Sequence, residues 1–206
     1  MGLYERYIGP RLINALCSQG NITEERRHVV PQAHGVVLEV GIGTGLNVHL
    51  YDPARVECVI GVDPGENFLR LGARCIAASR VPVTVLRAPA EAIPLDDNSV
   101  DTVVLTYTLC SVADPAQALR EMRRVLKPEG RLLFLEHGRA DDANVARWQD
   151  RLNGVWRIIG CGCNLNRDTT ALLREAGFDI QAVERFYLDG SPRPVGFHCR
   201  GVATAA

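Results

Sequence analysis

From residue 36 onward, the chain alternates short unbroken Val/Ile/Leu runs with longer segments whose apolar positions recur every third or fourth residue. The runs predict strands at 36–40, 57–62, 83–87, 100–107 and 131–136; the periodic segments predict helices at 44–50, 66–79 and 115–126. Strands without polar alternation belong in a parallel sheet covered by helices on both faces. Beyond residue 139 the order changes. Helices are expected at 143–156 and 169–176, the second ended by Gly177, followed by strands at 180–185 and 196–203. Only the turn-rich "YLDGSPRPVG" lies between those two strands, which predicts an antiparallel ribbon closing one sheet edge. At the start, Leu3, Tyr4, Tyr7, Ile8, Leu12, Ile13 and Leu16 form a helical stripe over 3–19, interrupted at Pro10, and a short helix over 23–30 stops at Pro31. The pattern predicts one doubly wound α/β domain over residues 1–206, with a mostly parallel seven-stranded sheet and an antiparallel C-terminal strand.

Composition narrows the function classes. A length of 206 residues suits a single full core, and a net charge of -1 excludes a generally basic nucleic-acid binder. No apolar run approaches the roughly 20 residues of a spanning helix. "MGLYERYIGP" lacks a signal peptide's order, and Arg6 stands where a myristoylation signal needs Ser or Thr. The seven cysteines are odd in number and scattered, so a disulfide framework is not expected and a reducing cytoplasm is. Cys58 and Cys75 fall inside predicted elements as small buried hydrophobes.

The first strand runs into "EVGIGTG". Gly41 and Gly43 allow unusual φ and close approach of a ligand to backbone, and Gly45, also expected at the bound ligand, lets the next helix start against the sheet. The second strand ends in "GVDP", which puts Asp63 about 20 residues past the glycines, where a carboxylate can accept both hydroxyls of a ribose. A nucleoside is therefore expected at these strand ends. A dinucleotide fingerprint would need glycine at Leu46, and no G-K-[ST] is present for a nucleoside triphosphate.

"LEVGIGTG", "GVDP", "APAEAIPLDDNSVDTVV" and "LREMRRVLKPEGRLLFLEHG", in that order over residues 35–138, resemble the class I S-adenosylmethionine-dependent methyltransferases, which have a Rossmann-like fold. The resemblance implies S-adenosyl-L-methionine as cofactor. It assigns Glu39 and the backbone of Gly41 and Gly43 to the methionine end, Asp63 to the ribose with Pro64 shaping the turn, Ala90 and Glu91 to the adenine, and Thr106 to the neighbourhood of the amino group. Pro89 stands where many members carry an Asp for the adenine amine. Glu91 has a second reading as a solvated loop acid. Residues 31–138 would form the cofactor-binding core and 139–206 the acceptor side.

Displacement at a sulfonium methyl needs alignment and exclusion of water more than a strong base, particularly when the nucleophile is a thiol. After the fourth strand, "TYTLCSVADP" contains neither the Asn/Asp-Pro-Pro-Tyr motif of amino-methylating nucleic-acid enzymes nor the acidic metal ligands of catechol methyltransferases. "LEHG" ends the fifth strand and is expected to present Glu136, His137 and Arg139 at the mouth, His137 serving as general base or as a structural histidine. Cys110 is a pocket wall or a substrate contact. In "GCGCNLNRDT", Cys161 and Cys163 could grip a thiophilic metalloid together with Cys110. C-x-C is not a zinc spacing, however, so no metal is expected and a turn into a helix capped by Asn166 or Asp168 is. Trp148 and Trp156 are read as core or pocket wall.

"TLCSVADP", "RWQD", "GCNLNRDT" and "AGF" extend the resemblance to the methyltransferase-like-7 alkyl thiol methyltransferases and their bacterial relatives, implying a small thiol or sulfide acceptor. An ethanolamine phospholipid or another small amine is the alternative acceptor, and a nonenzymatic adenosyl-ligand sensor the third reading. Residues 1–30 are read as a lid closed by Tyr4 and Tyr7, since Arg6 and Arg11 alone make a thin polar face for a membrane-surface helix.

Overall fold

The computed structural model describes residues 8–205, so Leu3, Tyr4 and Tyr7 lie outside the described residues. Helix α1 (Gly9–Cys17) carries Pro10 in its first turn, where no N–H donor is required. Helix α2 (Gly20–Val29) passes into a 3-10 turn, Val30–Gln32, at Pro31.

Seven strands follow: β1 (Gly35–Val40), β2 (Val56–Val62), β3 (Val83–Leu86), β4 (Val100–Thr106), β5 (Leu126–His137), β6 (Phe178–Tyr187) and β7 (Phe197–Ala205). Their order across the sheet is β3-β2-β1-β4-β5-β7-β6. β3 through β5 are parallel, while β7 pairs antiparallel with both β5 and β6. The ribbon is as expected, with β7 inserted so that β6 forms the edge. Strand order reverses between β1 and β4, and a crevice opens at such a point, outside the carboxyl ends.

Alternation along the strands builds a core on each face. Leu38, Val103, Leu105, Leu132 and Phe134 pack with Leu119 and Met122 of α4 (Pro115–Val125) and Leu173 of α6 (Thr169–Glu175). Val37, Val104, Leu133 and Leu135 pack with Val29, Val30 and Tyr51. Glu39 shares parity with Val37, which sends its carboxylate to the Tyr51 face. The caps are specific: Asp114 accepts from the Gln117 N–H at 2.9 Å to start α4, and Asp168 accepts from the Ala171 N–H at 3.0 Å to start α6.

One predicted helix is absent. Residues 44–50 form consecutive turns, with N–H bonds from Gly45 to Ile42, Val48 to Gly45 and Leu50 to Asn47. Gly45 sits at φ 74°, which breaks a helix, and the Asn47 side chain is committed to Glu39. Helix α3 (Glu66–Ala77) packs directly on this segment. A Cβ on Gly72 would lie 2.5 Å from the Thr44 Cα and 2.6 Å from its carbonyl carbon, contacts only backbone movement could relieve. Gly72→Ala is therefore expected to lower stability by ~1–3 kcal/mol, read as an earlier urea midpoint at unchanged slope. A midpoint equal to wild type would contradict this packing. Helix α5 (Ala143–Ile159) precedes α6, and the "YLDGSPRPVG" loop contains one short turn of helix, α7 (Arg193–Gly196). Among the described residues no helix is long and apolar enough to cross a membrane.

Candidate active site

The carboxyl ends of β2, β1, β4 and β5 border one cavity of about 730 Å³, covered on its other side by Ile13, Leu16 and Cys17 of α1 and Ile22 and Arg26 of α2. Adjacent strands are ~4.8 Å apart, so three strand steps carry the cavity roughly 14 Å from the exit of β2 to that of β5.

Gly41 (φ 74°) and Gly43 (φ 50°) border it with different tasks. A Cβ on Gly41 would come within 2.2 Å of the Thr108 hydroxyl, so glycine here lets two loops close on each other. A Cβ on Gly43 would meet nothing nearer than Asp63 Oδ2 at 3.7 Å; glycine here leaves the ligand space. Gly45, expected at the cofactor, stands behind the wall. Its Cβ would press on Ile76 at 2.7 Å, and its carbonyl accepts from the thiol of Cys75, which is half-buried like Cys58.

Asp63 accepts from the Gly43 N–H at 3.0 Å through Oδ2 and from the Gly65 N–H at 2.7 Å through Oδ1, and each oxygen keeps acceptor capacity for the cavity. Burial raises its pKa, and those two N–H groups hold it down in part. Pro64 lines the cavity beside it.

Glu39 is the centre of a buried network. Tyr51 donates to Oε2 at 2.7 Å and the Asn47 amide to Oε1 at 3.0 Å. Arg26 donates through one nitrogen to Asn47 Oδ1 and to Thr106 Oγ1, both at 2.7 Å. Burial pushes the Glu39 pKa up to about 7 against the pull of Tyr51, Arg26 and Asn47. Arg26 is only 5% exposed, yet its Nε has no partner among the described residues. Sequence reading missed Arg26, Asn47 and Tyr51; they join Glu39 only through tertiary folding.

At the β3 exit Ala90 is buried on the cavity wall. Glu91 also lines the cavity, but one carboxylate oxygen is used on the N–H groups of Ala113 and Asp114, at 2.9 and 3.0 Å. This carboxylate fixes the β4–α4 loop.

The β5 exit differs from expectation. Glu136 is fully buried, accepting from the Thr108 and Leu109 N–H groups at 2.7 and 3.0 Å, because it shares parity with core residue Phe134. Burial raises its pKa to about 7 against those bonds. Arg139 leaves the site for an ion pair with Asp150 at 2.8 Å. Neither is at the mouth. His137 is, and its Nε2 lies 2.9 Å from Cys163 Sγ, to which the Trp156 indole N–H also donates at 3.3 Å. Cys110 completes a group: its sulfur, Cys163 Sγ and a His137 ring nitrogen all lie within 4.8 Å of one another. A hydrogen bond from Cys110 and the neighbouring His137 hold the Cys163 thiol well below its ordinary pKa despite burial, and that same bond plus burial push Cys110 up. Burial pulls the His137 pKa down, but the Cys163 sulfur outweighs it, so the net shift is upward.

His198 of β7 closes this end. It packs edge-on against Tyr107 and His137 and bonds the Gly196 carbonyl through Nδ1 at 2.8 Å. Burial lowers its pKa to about 4, so it is neutral at pH 7. Tyr107 holds φ 55°, a conformation rare for a bulky side chain, at the β4 exit beside Cys110. Trp148 is exposed, whereas Trp156 is cavity wall.

These features fit an amino-acid-bearing nucleoside. A buried carboxylate and a buried guanidinium, those of Glu39 and Arg26, line one cavity, suiting an ammonium and a carboxylate; Gly43 and Asp63 leave room and acceptors for a sugar. Comparison with known proteins agrees. A methyltransferase domain profile matches residues 38–134. The chain is 35% identical to human thiol S-methyltransferase TMT1B over 209 residues, covering 94% of this chain and 84% of that protein. It is 36% identical to the rat TMT1B over 172 residues, covering 81% and 69%. In structure it resembles a S-adenosylmethionine-dependent methyltransferase of Thermotoga maritima, described as a possible histamine N-methyltransferase, with TM-score 0.68, 22% identity and 98% of each chain covered. The chain belongs to the S-adenosylmethionine-dependent methyltransferase family.

Proposed function

We propose that the chain transfers methyl from S-adenosylmethionine to the sulfur of a small thiol or sulfide. The observation that carries this reading is the chemistry of the β4–β5 end, where Cys110, Cys163, His137 and Trp156 line the same cavity as the apolar Val112, Leu188 and Val195. The carboxylates that line the cavity, Glu39, Asp63 and Glu91, belong to the β1, β2 and β3 exits instead. The similarity to thiol S-methyltransferases supports the same acceptor.

When bound, the cofactor supplies an electrophilic methyl group on a sulfonium. Glu39 would hold its ammonium, the Arg26 guanidinium its carboxylate, Asp63 its ribose hydroxyls and Ala90 its adenine face. Helices α1 and α2 cover the cavity and exclude water, which strengthens each of these charge contacts. A thiol with pKa near 8.5 is already a few per cent ionised at neutral pH, so the protein needs only to favour the sulfur anion. His137 does so from the cavity wall, paired with Cys163.

A membrane-borne amine is the second reading, favoured by the exposed Ile8 and Leu12 on α1 and Val155 and Ile158 on α5. Methyl-labelled cofactor offered with a panel of alkyl thiols, amines, ethanolamine phospholipid vesicles and phenols separates the two. Label is expected in S-methyl products alone, and label appearing in amines or lipid with none in thiols would overturn the thiol reading. His137→Ala is expected to lower kcat with thiols on the order of 100-fold, the low end of proton-transfer effects, with cofactor Kd unchanged.

A further inference from the structure

The Cys110, His137 and Cys163 side chains come from three separate segments: the loop after β4, the end of β5 and the turn after α5. The sequence offered Cys161 and Cys163, together with Cys110, as a grip for a thiophilic metalloid. Folding keeps Cys110 and Cys163 together, leaves Cys161 out of the group and adds the His137 imidazole. Tetrahedral zinc with bonds of about 2.3 Å to sulfur and 2.0 Å to nitrogen sets its donors ~3.5–3.8 Å apart, so atoms within 4.8 Å need only small side-chain adjustments.

The cluster is braced as built sites are. The Asn164 amide and backbone N–H both donate to the Cys110 carbonyl at 2.8 Å, tying the two cysteine loops together. Arg167 clamps the same loop through the carbonyls of Leu109 and, at 2.8 Å, Val112. The Trp156 N–H on Cys163 Sγ is the outer hydrogen bond that orients a thiolate ligand. Two thiolates would neutralise a divalent cation, and three protein donors would leave a fourth position; all three residues line the acceptor end of the cavity.

We propose that Cys110, His137 and Cys163 bind one Zn²⁺ ion whose fourth coordination position takes the acceptor thiol as its thiolate. This rests on the thiol reading above. On coordination a zinc–sulfur bond forms, the S–H bond breaks and its proton leaves to solvent. The thiolate lone pair remaining on sulfur is the nucleophile. His137 is then a ligand, and the cation takes over the task of favouring the sulfur anion.

Co²⁺ added to the purified, reduced, metal-free chain is the probe. One equivalent is expected to give a thiolate-to-metal charge-transfer band and tetrahedral visible bands, both displaced by Zn²⁺. Cys110→Ser and Cys163→Ser should each weaken binding at least tenfold and diminish the thiolate band, while Cys161→Ser keeps it. A small alkyl thiol should then shift the visible bands by filling the open position. Absence of a thiolate band in the wild type, or a band lost only in Cys161→Ser, overturns the proposal. Full thiol methylation in chelator with no cobalt band defeats the metal site and leaves the thiol reading standing. A cobalt site that no thiol perturbs, with label passing to amines, defeats the thiol reading and the role proposed for the fourth position.

Discussion

Asp63→Ala is expected to weaken S-adenosylmethionine binding by at least ~100-fold, because charge-assisted hydrogen bonds to two ribose hydroxyls at ~1.5–3 kcal/mol each disappear together. The substitution also frees the N–H groups of Gly43 and Gly65, which Asp63 now satisfies, so part of the loss would come from a looser glycine loop. Asp63→Asn separates the two effects. It keeps volume and an acceptor for one of the two N–H groups but removes the charge, so its unfolding midpoint should fall less than the alanine variant's while binding falls roughly tenfold or more. Calorimetric titration beside urea unfolding reads both. Binding of the alanine variant within threefold of wild type would remove Asp63 from the cofactor site.

Glu39→Gln carries the second large effect, and its signature is pH. With a carboxyl pKa raised to about 7 by burial, the wild type below pH 7 must expel a proton to receive a cationic ligand. Cofactor affinity should therefore rise about tenfold per pH unit between pH 5.5 and 6.5 and level off above 7. The glutamine variant, which has no charge to gain, should show a flat profile and bind roughly 30-fold more weakly at pH 7.5, the cost of one charged hydrogen-bonded contact. Stability moves in the opposite sense. The folded carboxyl holds its proton between its ordinary 4.5 and about 7, where the unfolded one has lost it, so this group's contribution falls as pH rises through that window. Glu39→Gln escapes the penalty, and the stability difference should shift in its favour by on the order of 3 kcal/mol across the window. A wild-type affinity independent of pH would show that Glu39 does not face the cationic end.

What the sequence made legible follows from what local patterns encode. Continuous apolar runs located the five parallel strands, which helices cover on both faces; the two C-terminal strands, with β6 largely exposed, were read from the turn-rich loop between them. "EVGIGTG" and "GVDP" located the cofactor end because backbone conformation and strand termini are local properties; Gly41, Gly43 and Asp63 all border the cavity. The helix at 44–50 failed because apolar spacing ignored a left-handed Gly45 and an Asn47 whose side chain serves Glu39. Glu136 was misplaced although parity with Phe134 could have shown it pointing into the core. Arg26, Tyr51, His198 and the joining of His137 to Cys110 and Cys163 carried no local signal. Their partners lie far away in sequence and meet only at the shared ends of the sheet.

The cofactor end and the acceptor end of the cavity meet at the methyl group, and a crystal structure with S-adenosylhomocysteine bound tests that meeting most directly. Its sulfur should point toward Cys110, His137 and Cys163, with space for an acceptor atom about 3–3.5 Å from the vacated methyl position. Its amino-acid end should lie between Glu39 and Arg26, and its ribose on Asp63. A bound ligand whose sulfur faces away from that cluster, or whose sugar leaves Asp63 untouched, would contradict the account.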